Sequence, residues 1–426
     1  MKILIEQSGY HLGNIGDLAM LQVAVQRLKS FWPNASVQIF TTDSEKLIKY
    51  FPNTQPLPPY GRQIWHYPLL HRVHKLPSRL VIQQWVNMEL RFRRYLPSLV
   101  RSLIKFKLRK QPEQMRNFEA FMEAVYGADL VVASGGGYIT DVFKQHAVLA
   151  IDTLGLASRL GKPTVMLGHG LGPLQDKELR AKAKTVLPLV NLITLREKRA
   201  GVPLLNSIGV SQDCVMATGD DAIELAYQAR KIGLGNGIGI NLRIAEYSGV
   251  NLSLLETIRL TLHKAAKKWN APLIPAPIDH SNYEGYVESD SLTIQKLLRG
   301  YDDTSDGGQS LDTPLKVIEQ IGRCRVVVTG SYHAGVFALA QGIPIMGLAK
   351  SEYYADKFLG LADQFGVGCE VIFLHEQEFA TKLVDSIDRA LESAEQLRPQ
   401  LLEAAKEQVE LGHTAYKRVY ELVNSR

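Results

Sequence analysis

The sequence predicts an α/β protein built from two successive halves that face one another across a cleft. Three observations carry this expectation. Short β-branched apolar runs alternate with helical patterns along nearly the whole chain, as buried parallel strands and their crossover helices do. Most of these runs end in a loop of glycines and polar residues, the place where open α/β sheets bind ligands. The length, 426 residues, exceeds what one ordinary core holds, so two domains are expected.

Residues 2–6 open the chain as a strand, without the charged start and long apolar core of a targeting segment. The loop Gly9 to Leu18 follows, then a helical pattern from Ala19 to Phe31. Gly13, Asn14 and Gly16 allow tight turns and close approach to a ligand, although their spacing is not that of a dinucleotide fingerprint. Asp17 suits either proton transfer or capping of the helix. Val37–Thr41 reads as a second strand and Asp129–Ala133 as a third, with Ser134, Gly135, Gly136 and Gly137 as a glycine-rich turn after it. Pro163–Leu167 is the next strand, before a loop from Gly168 to Pro173. Leu192–Leu195 ends in Arg196-Glu197. An Arg at that position grips a carboxylate or phosphate through two parallel hydrogen bonds, unless a structural salt bridge holds it.

Residues 231–236 read as a linker, giving a first domain over 1–230 and a second over 237–375. Ile238–Arg243 opens the second half as a strand that again ends in Arg. A helix over Leu254–Trp269, a strand over Pro272–Pro275 and a loop carrying Asp279 follow. Two further helices, Leu292–Leu298 and Pro314–Ile321, lead to the stretch on which the rest turns. There a buried strand over Val326–Thr329 is broken by Gly330-Ser331, and Tyr332-His333 open a small-residue helix. A histidine at a helix start beside a strand end is the best candidate for proton transfer in the chain, with capping or packing as the competing account. Ile343–Leu348 and Val371–Leu374 are the last strands. The helical remainder, 376–426, is able to pack back on both domains.

Residues 58–118 break this rhythm. Between Gly61 and Arg116 there are thirteen Lys or Arg against two Glu, so the rest of this +6 chain is net acidic. Trp65, His66, Tyr67, Leu69, Leu70, Leu80, Val81, Ile82, Trp85 and Val86 precede Arg91-Phe92-Arg93-Arg94-Tyr95-Leu96, and Leu99, Val100, Leu103, Ile104, Phe106 and Leu108 then lie among Arg101, Lys105, Lys107, Arg109 and Lys110. The pattern fits a helical insertion that meets an anionic membrane surface over residues 61–116, or one that only covers its own domain. No nucleic-acid motif accompanies the charge. No apolar run is long enough to span a bilayer. Cys214, Cys324 and Cys369 are scattered without ligand spacing, which points away from a metal site and toward a cytoplasmic location.

Taken together, Gly13-Asn14-Ile15-Gly16-Asp17, Ser134 to Gly137, Leu195-Arg196-Glu197, Gly219-Asp220, Ile240 to Arg243, His333-Ala334, Gly342-Ile343-Pro344 and Lys357 resemble the polysaccharide pyruvyl transferase family. The resemblance runs from residue 2 to about 375, with 58–118 as an insertion. It implies a GT-B-like fold of two Rossmann-like domains. It also implies transfer of pyruvate from phosphoenolpyruvate to a sugar of a cell-surface or lipid-linked glycan as a ketal, with no further cofactor. Under that reading His333 is the acid, Asp17 and Asp279 accept protons from sugar hydroxyls, and Arg196, Arg243, Ser331, Tyr332 and Lys357 hold the donor. A cytoplasmic enzyme peripheral to the inner face of the membrane would result. One departure matters: the family carries Arg two residues before this histidine, where Ser331 stands here. Another cation, Lys350 or Lys357, then has to replace it, or the donor differs. Rival readings are a GT-B glycosyltransferase using a nucleotide sugar, a non-catalytic glycan-binding protein and a sugar epimerase.

Overall fold

The computed structural model describes residues 1–66, 88–89, 91–93, 95–244, 249–281 and 288–425. The expectations that fall on residues 67–87, 90 and 94 of the insertion lie outside them.

Two parallel sheets form the frame. The first contains β1 (Lys2–Glu6), β2 (Ser36–Phe40), β3 (Gln55–Leu57), β4 (Leu130–Ala133), β5 (Gly136–Ile139), β6 (Thr164–Leu171), β7 (Leu192–Leu195) and β8 (Val215–Ala217). Its order is β3-β2-β1-β4-β6-β7-β8, with β5 paired to β6 off that path. The second contains β9 (Gly237–Asn241), β10 (Leu273–Pro275), β11 (Cys324–Thr329), β12 (Ile345–Ala349) and β13 (Cys369–Phe373), in the order β10-β9-β11-β12-β13. The strands are near-continuous apolar runs because both sheet faces are covered: the last four residues of β1 and all five of β12 are buried.

Both orders reverse direction once. Chain windings part between β1 and β4 in the first sheet and between β9 and β11 in the second, which opens a crevice at the carboxyl ends of those strands. The loop after β1, the Arg after β9 and the histidine after β11 all sit at these two crevices.

Three local differences from the sequence reading have physical causes. The first helix runs Ile15–Phe31, and Asn14 caps it by accepting from the amides of Gly16 and Asp17, so Asp17 lies inside the first turn and is not the cap. Ser134 to Gly137 do not turn into a helix. Gly136 opens β5, and the α-helix starts only at Lys144. Gly168, His169 and Gly170 belong to β6, which runs on to Leu171.

The halves share a hydrophobic cluster. Ile15, Ala19 and Met20 of the first helix pack with Tyr332, Ala334 and Phe337 of the helix Tyr332–Leu339. The long helix Phe379–Asn424 crosses both. Leu383, Ile387 and Leu391 join the core of the second sheet, whereas Tyr416 and Val419 join that of the first. Tyr416 donates to Asp221 Oδ2 at 2.7 Å, and the buried Arg27 donates to Asp221 Oδ1 at 2.9 Å and to Glu224. Removing Arg27 takes the cation away from two carboxylates, Asp221 buried and Glu224 half-buried. An Arg27→Ala variant is expected to lose about 3–5 kcal/mol of stability, read as a lowered urea midpoint, where a surface pair would cost under about 1 kcal/mol.

Candidate active site

The two crevices meet because the loop after β1 is stitched to the loop after β10. Ile15 N–H donates to the Ile278 carbonyl at 2.7 Å, His280 N–H donates to Gly13 O at 3.1 Å, and Asn14 pairs with Asp279. A cavity of about 410 Å³ opens beside this seam, a size suited to a small ligand plus part of a sugar. Asp17, Arg196, Arg243, Asp279, His333 and Lys357, remote in sequence, all line it.

His333 is 7% exposed. Its Nε2 lies 3.5 Å from Asp220 Oδ2, at the long edge of hydrogen-bonding reach. Burial alone would push the Asp220 carboxyl up. The close approach and charge of His333, the charge of Arg196 and the Ala222 amide outweigh that and hold it below the ordinary carboxylate range. Gly16 fixes the other edge of the ring: a Cβ there would fall 2.0 Å from His333 Cγ and Nδ1. The first helix therefore needs glycine where it passes the imidazole. Tyr332 crosses the same ring edge-on, with centroids 5.3 Å apart.

Arg196 is buried with its Cζ 4.1 Å over the Tyr332 ring and Nη1 3.7 Å from Asp220 Oδ2. It is therefore both the cavity cation and the partner of a carboxylate, the two accounts that the sequence left open. Cβ atoms at Gly137 and Gly170 would lie 2.8 Å from its Nη2 and 2.5 Å from its Nε, so two glycines make room for the guanidinium. Lys357 stands beside it, with Nζ 3.8 Å over the Tyr353 ring. Burial, then the charge of Arg196, depresses the Lys357 ammonium well below its ordinary range, and Asp17 opposes this. Lys350 is exposed and does not line the cavity.

Arg243 departs from the expectation of an anion grip. Its Nη2 is 2.9 Å from Asp279 Oδ2 and its Nη1 3.1 Å from Asp290 Oδ1, so two carboxylates already hold these nitrogens. Asp279 is correspondingly engaged: Oδ2 also accepts from Asn14 Nδ2 at 3.3 Å, and Oδ1 accepts from the Ser281 amide at 2.8 Å. The pair anchors the seam, which favours positioning over proton transfer or donor binding. Asp17 differs. Burial raises its carboxyl above the ordinary range, and Asp279 adds to this, whereas His333, Ser8 and Arg196 pull it down. A carboxyl so raised accepts a proton more readily than an ordinary one.

Of the remaining expected residues, Gly13, Asn14, Gly137, Ser331 and Tyr332 line the cavity. Ser331 N–H donates to Thr329 Oγ1 at 2.8 Å. Ser134, Gly135 and Gly136 do not line it. They pack against β1, Met20 and Ser8 as the strand ends draw together. Asp220, Asp290 and Tyr353 were not singled out as site residues. Only the Gly219-Asp220 pair carried any signal, a carboxylate just after a strand. Among the described residues, no three His, Cys, Asp or Glu side chains cluster as a metal would require.

A model of the family described as polysaccharide pyruvyl transferase matches residues 14–351. The amylovoran biosynthesis protein AmsJ of Erwinia amylovora is 27% identical over 138 residues, 30% of this chain and 31% of that protein. The chain thus matches about a third of the length of that curated relative. Among solved structures, the UDP-GlcNAc 2-epimerase of Neisseria meningitidis, bound to UDP-GlcNAc, aligns with a TM-score of 0.50 at 14% identity over 100% of both chains. A UDP-glucose:anthocyanidin 3-O-glucosyltransferase in complex with UDP aligns with a TM-score of 0.53 at 11% identity, over 100% of this chain and 99% of that one. At such identities the likeness is one of fold, and the fold is GT-B-like.

Proposed function

The chain belongs to the polysaccharide pyruvyl transferase family, and we propose that it moves the pyruvyl group of phosphoenolpyruvate onto a sugar of a cell-surface or lipid-linked polysaccharide as a ketal. The observation that carries this reading is one cavity holding His333 beside Asp220 together with the cations Arg196 and Lys357. An enol phosphate needs a proton on its methylene carbon and counter-charges for its carboxylate and phosphate. These groups supply both.

In the proposed sequence His333, as imidazolium held by Asp220, gives its proton to the methylene carbon, which becomes the methyl group. A sugar hydroxyl adds to the electron-poor central carbon, and its proton passes to Asp17. The C–O bond to phosphate then breaks, the phosphate leaving with the bonding pair. The second hydroxyl closes the ketal, and its proton returns to the imidazole of His333. Arg196 presents a flat fork of donors to the leaving dianion or to the carboxylate. Lys357 supplies the charge that the family's Arg would have carried at the position of Ser331.

The reading is tested by incubating the protein with phosphoenolpyruvate and glycan acceptors. Phosphate release matched by a pyruvylated product supports it. Turnover of a nucleotide sugar with no use of phosphoenolpyruvate would replace it with glycosyl transfer, and glycan binding without turnover of either donor would make the protein a binding module.

The depressed ammonium of Lys357 gives a pH prediction. The charged form is the one that attracts the donor, and it is lost as pH rises through a pKa below the ordinary lysine value. Donor affinity should therefore fall on an alkaline limb that begins earlier than a free lysine would allow. A Lys357→Arg variant, whose charge does not titrate there, should lose that limb in a plot of donor KM against pH.

A further inference from the structure

We propose that the insertion carries a docking face for an anionic phospholipid bilayer, formed by the helix Pro97–Leu108. This rests on no step of the transfer reaction. The helix is apolar on two sides. Val100, Ile104 and Leu108 are buried in the core of the first sheet, where the neighbouring helix Pro112–Gly127 also packs. Leu99, Leu103 and Phe106 face the other way and are 48%, 48% and 66% exposed. At about 100° per residue these three fall within an arc of roughly 60°, well apart from the buried stripe. Phe92, Tyr95 and Leu96, just before the helix, are exposed as well. Large apolar side chains gathered in one short segment mark an interaction surface, whereas single ones do not.

Charge selects the partner. Residues 91–116 carry nine Lys or Arg and one Glu. Lys107, Arg109 and Lys110 are exposed around the apolar arc, and Arg109 lies with its Cζ 4.0 Å over the Phe106 ring. A protein partner of ordinary composition has no reason to match this density of positive charge. A layer of anionic headgroups over hydrocarbon matches both parts at once, the rings and leucines entering the interface and the bases staying at headgroup level. Among the described residues, no helix is long and apolar enough to cross a membrane.

The test is co-sedimentation of the full chain with vesicles of phosphatidylcholine alone and of phosphatidylcholine with about 30% phosphatidylglycerol, a density of anionic lipid at which a few bases have a measurable effect. Binding to the anionic vesicles only, weakening as salt rises, is expected. The combined variant Leu99→Gln, Leu103→Gln, Phe106→Gln should bind them about tenfold more weakly, while its far-ultraviolet circular dichroism and cooperative thermal unfolding stay like the parent's and show that it is folded. Indifference of the parent protein to anionic vesicles, or equal binding by the variant, overturns the proposal. So does a dimer in solution that dissociates in the variant, since a second copy would then be what covers this face.

Discussion

A His333→Ala variant is expected to turn over about a hundredfold to ten-thousandfold more slowly than the parent protein, with donor affinity little changed. The imidazole is lodged between the Gly16 backbone and Asp220, with the Tyr332 ring edge-on to it. A group fixed on three sides in a cavity is suited to a step that needs one proton at one carbon. Alanine removes the proton donor and leaves Arg196 and Lys357 in place, so kcat should carry the loss and KM should not. Single-turnover kinetics with saturating phosphoenolpyruvate reads the chemical step directly. Asp220→Asn should lower kcat in the same direction, because it weakens the hold on the ring and the counter-charge of the imidazolium. Parent-level turnover by His333→Ala would remove the acid from this account.

The second large effect is expected at Arg196. Arg196→Ala should lower kcat/KM for the donor by about a hundredfold to a thousandfold, since two hydrogen bonds to a charged group are each worth about 1.5–3 kcal/mol and their losses overlap. Arg196→Lys should recover little of this. The ammonium keeps the charge, but it loses the planar fork that lies on Tyr332 and fits between Gly137 and Gly170. The loss should appear mainly in the donor's KM. A merely structural arginine would instead lower the melting temperature and leave the KM of the surviving folded protein unchanged. Because Asp220 stands near both Arg196 and His333, the double variant Arg196→Ala, His333→Ala should lose less than the two single effects combined.

Much of the frame was legible in the chain. Parallel strands buried on both faces leave unbroken apolar runs, and β1, β7 and β11 could be read from such runs. The strand-end loops that build the cavity could also be read, because glycine and charge stand out after an apolar run. What remained hidden depends on separation along the chain or on the true ends of elements. Asn14 rather than Asp17 caps the first helix because the helix begins four residues earlier than its apolar pattern shows. β5 is hidden in the sequence because its glycines look like a turn, and only pairing with β6 makes them a strand. Arg243 reads as a ligand cation because Asp290, which pairs with it, lies 47 residues away at the start of a helix. Asp220 lies more than a hundred residues before His333 and meets it only across the two halves. Lys357 was singled out through the family resemblance, and only the geometry brings it, and not Lys350, beside Arg196.

The central claim is that His333 delivers a proton to the methylene carbon of phosphoenolpyruvate as a sugar hydroxyl adds. Running the reaction in deuterium oxide and reading the product by proton and deuterium NMR addresses it. The account predicts a ketal methyl group bearing one solvent deuterium, one phosphate released per ketal formed, and loss of both signals in His333→Ala. A product without that methyl, or a nucleoside diphosphate released in place of phosphate, would contradict it.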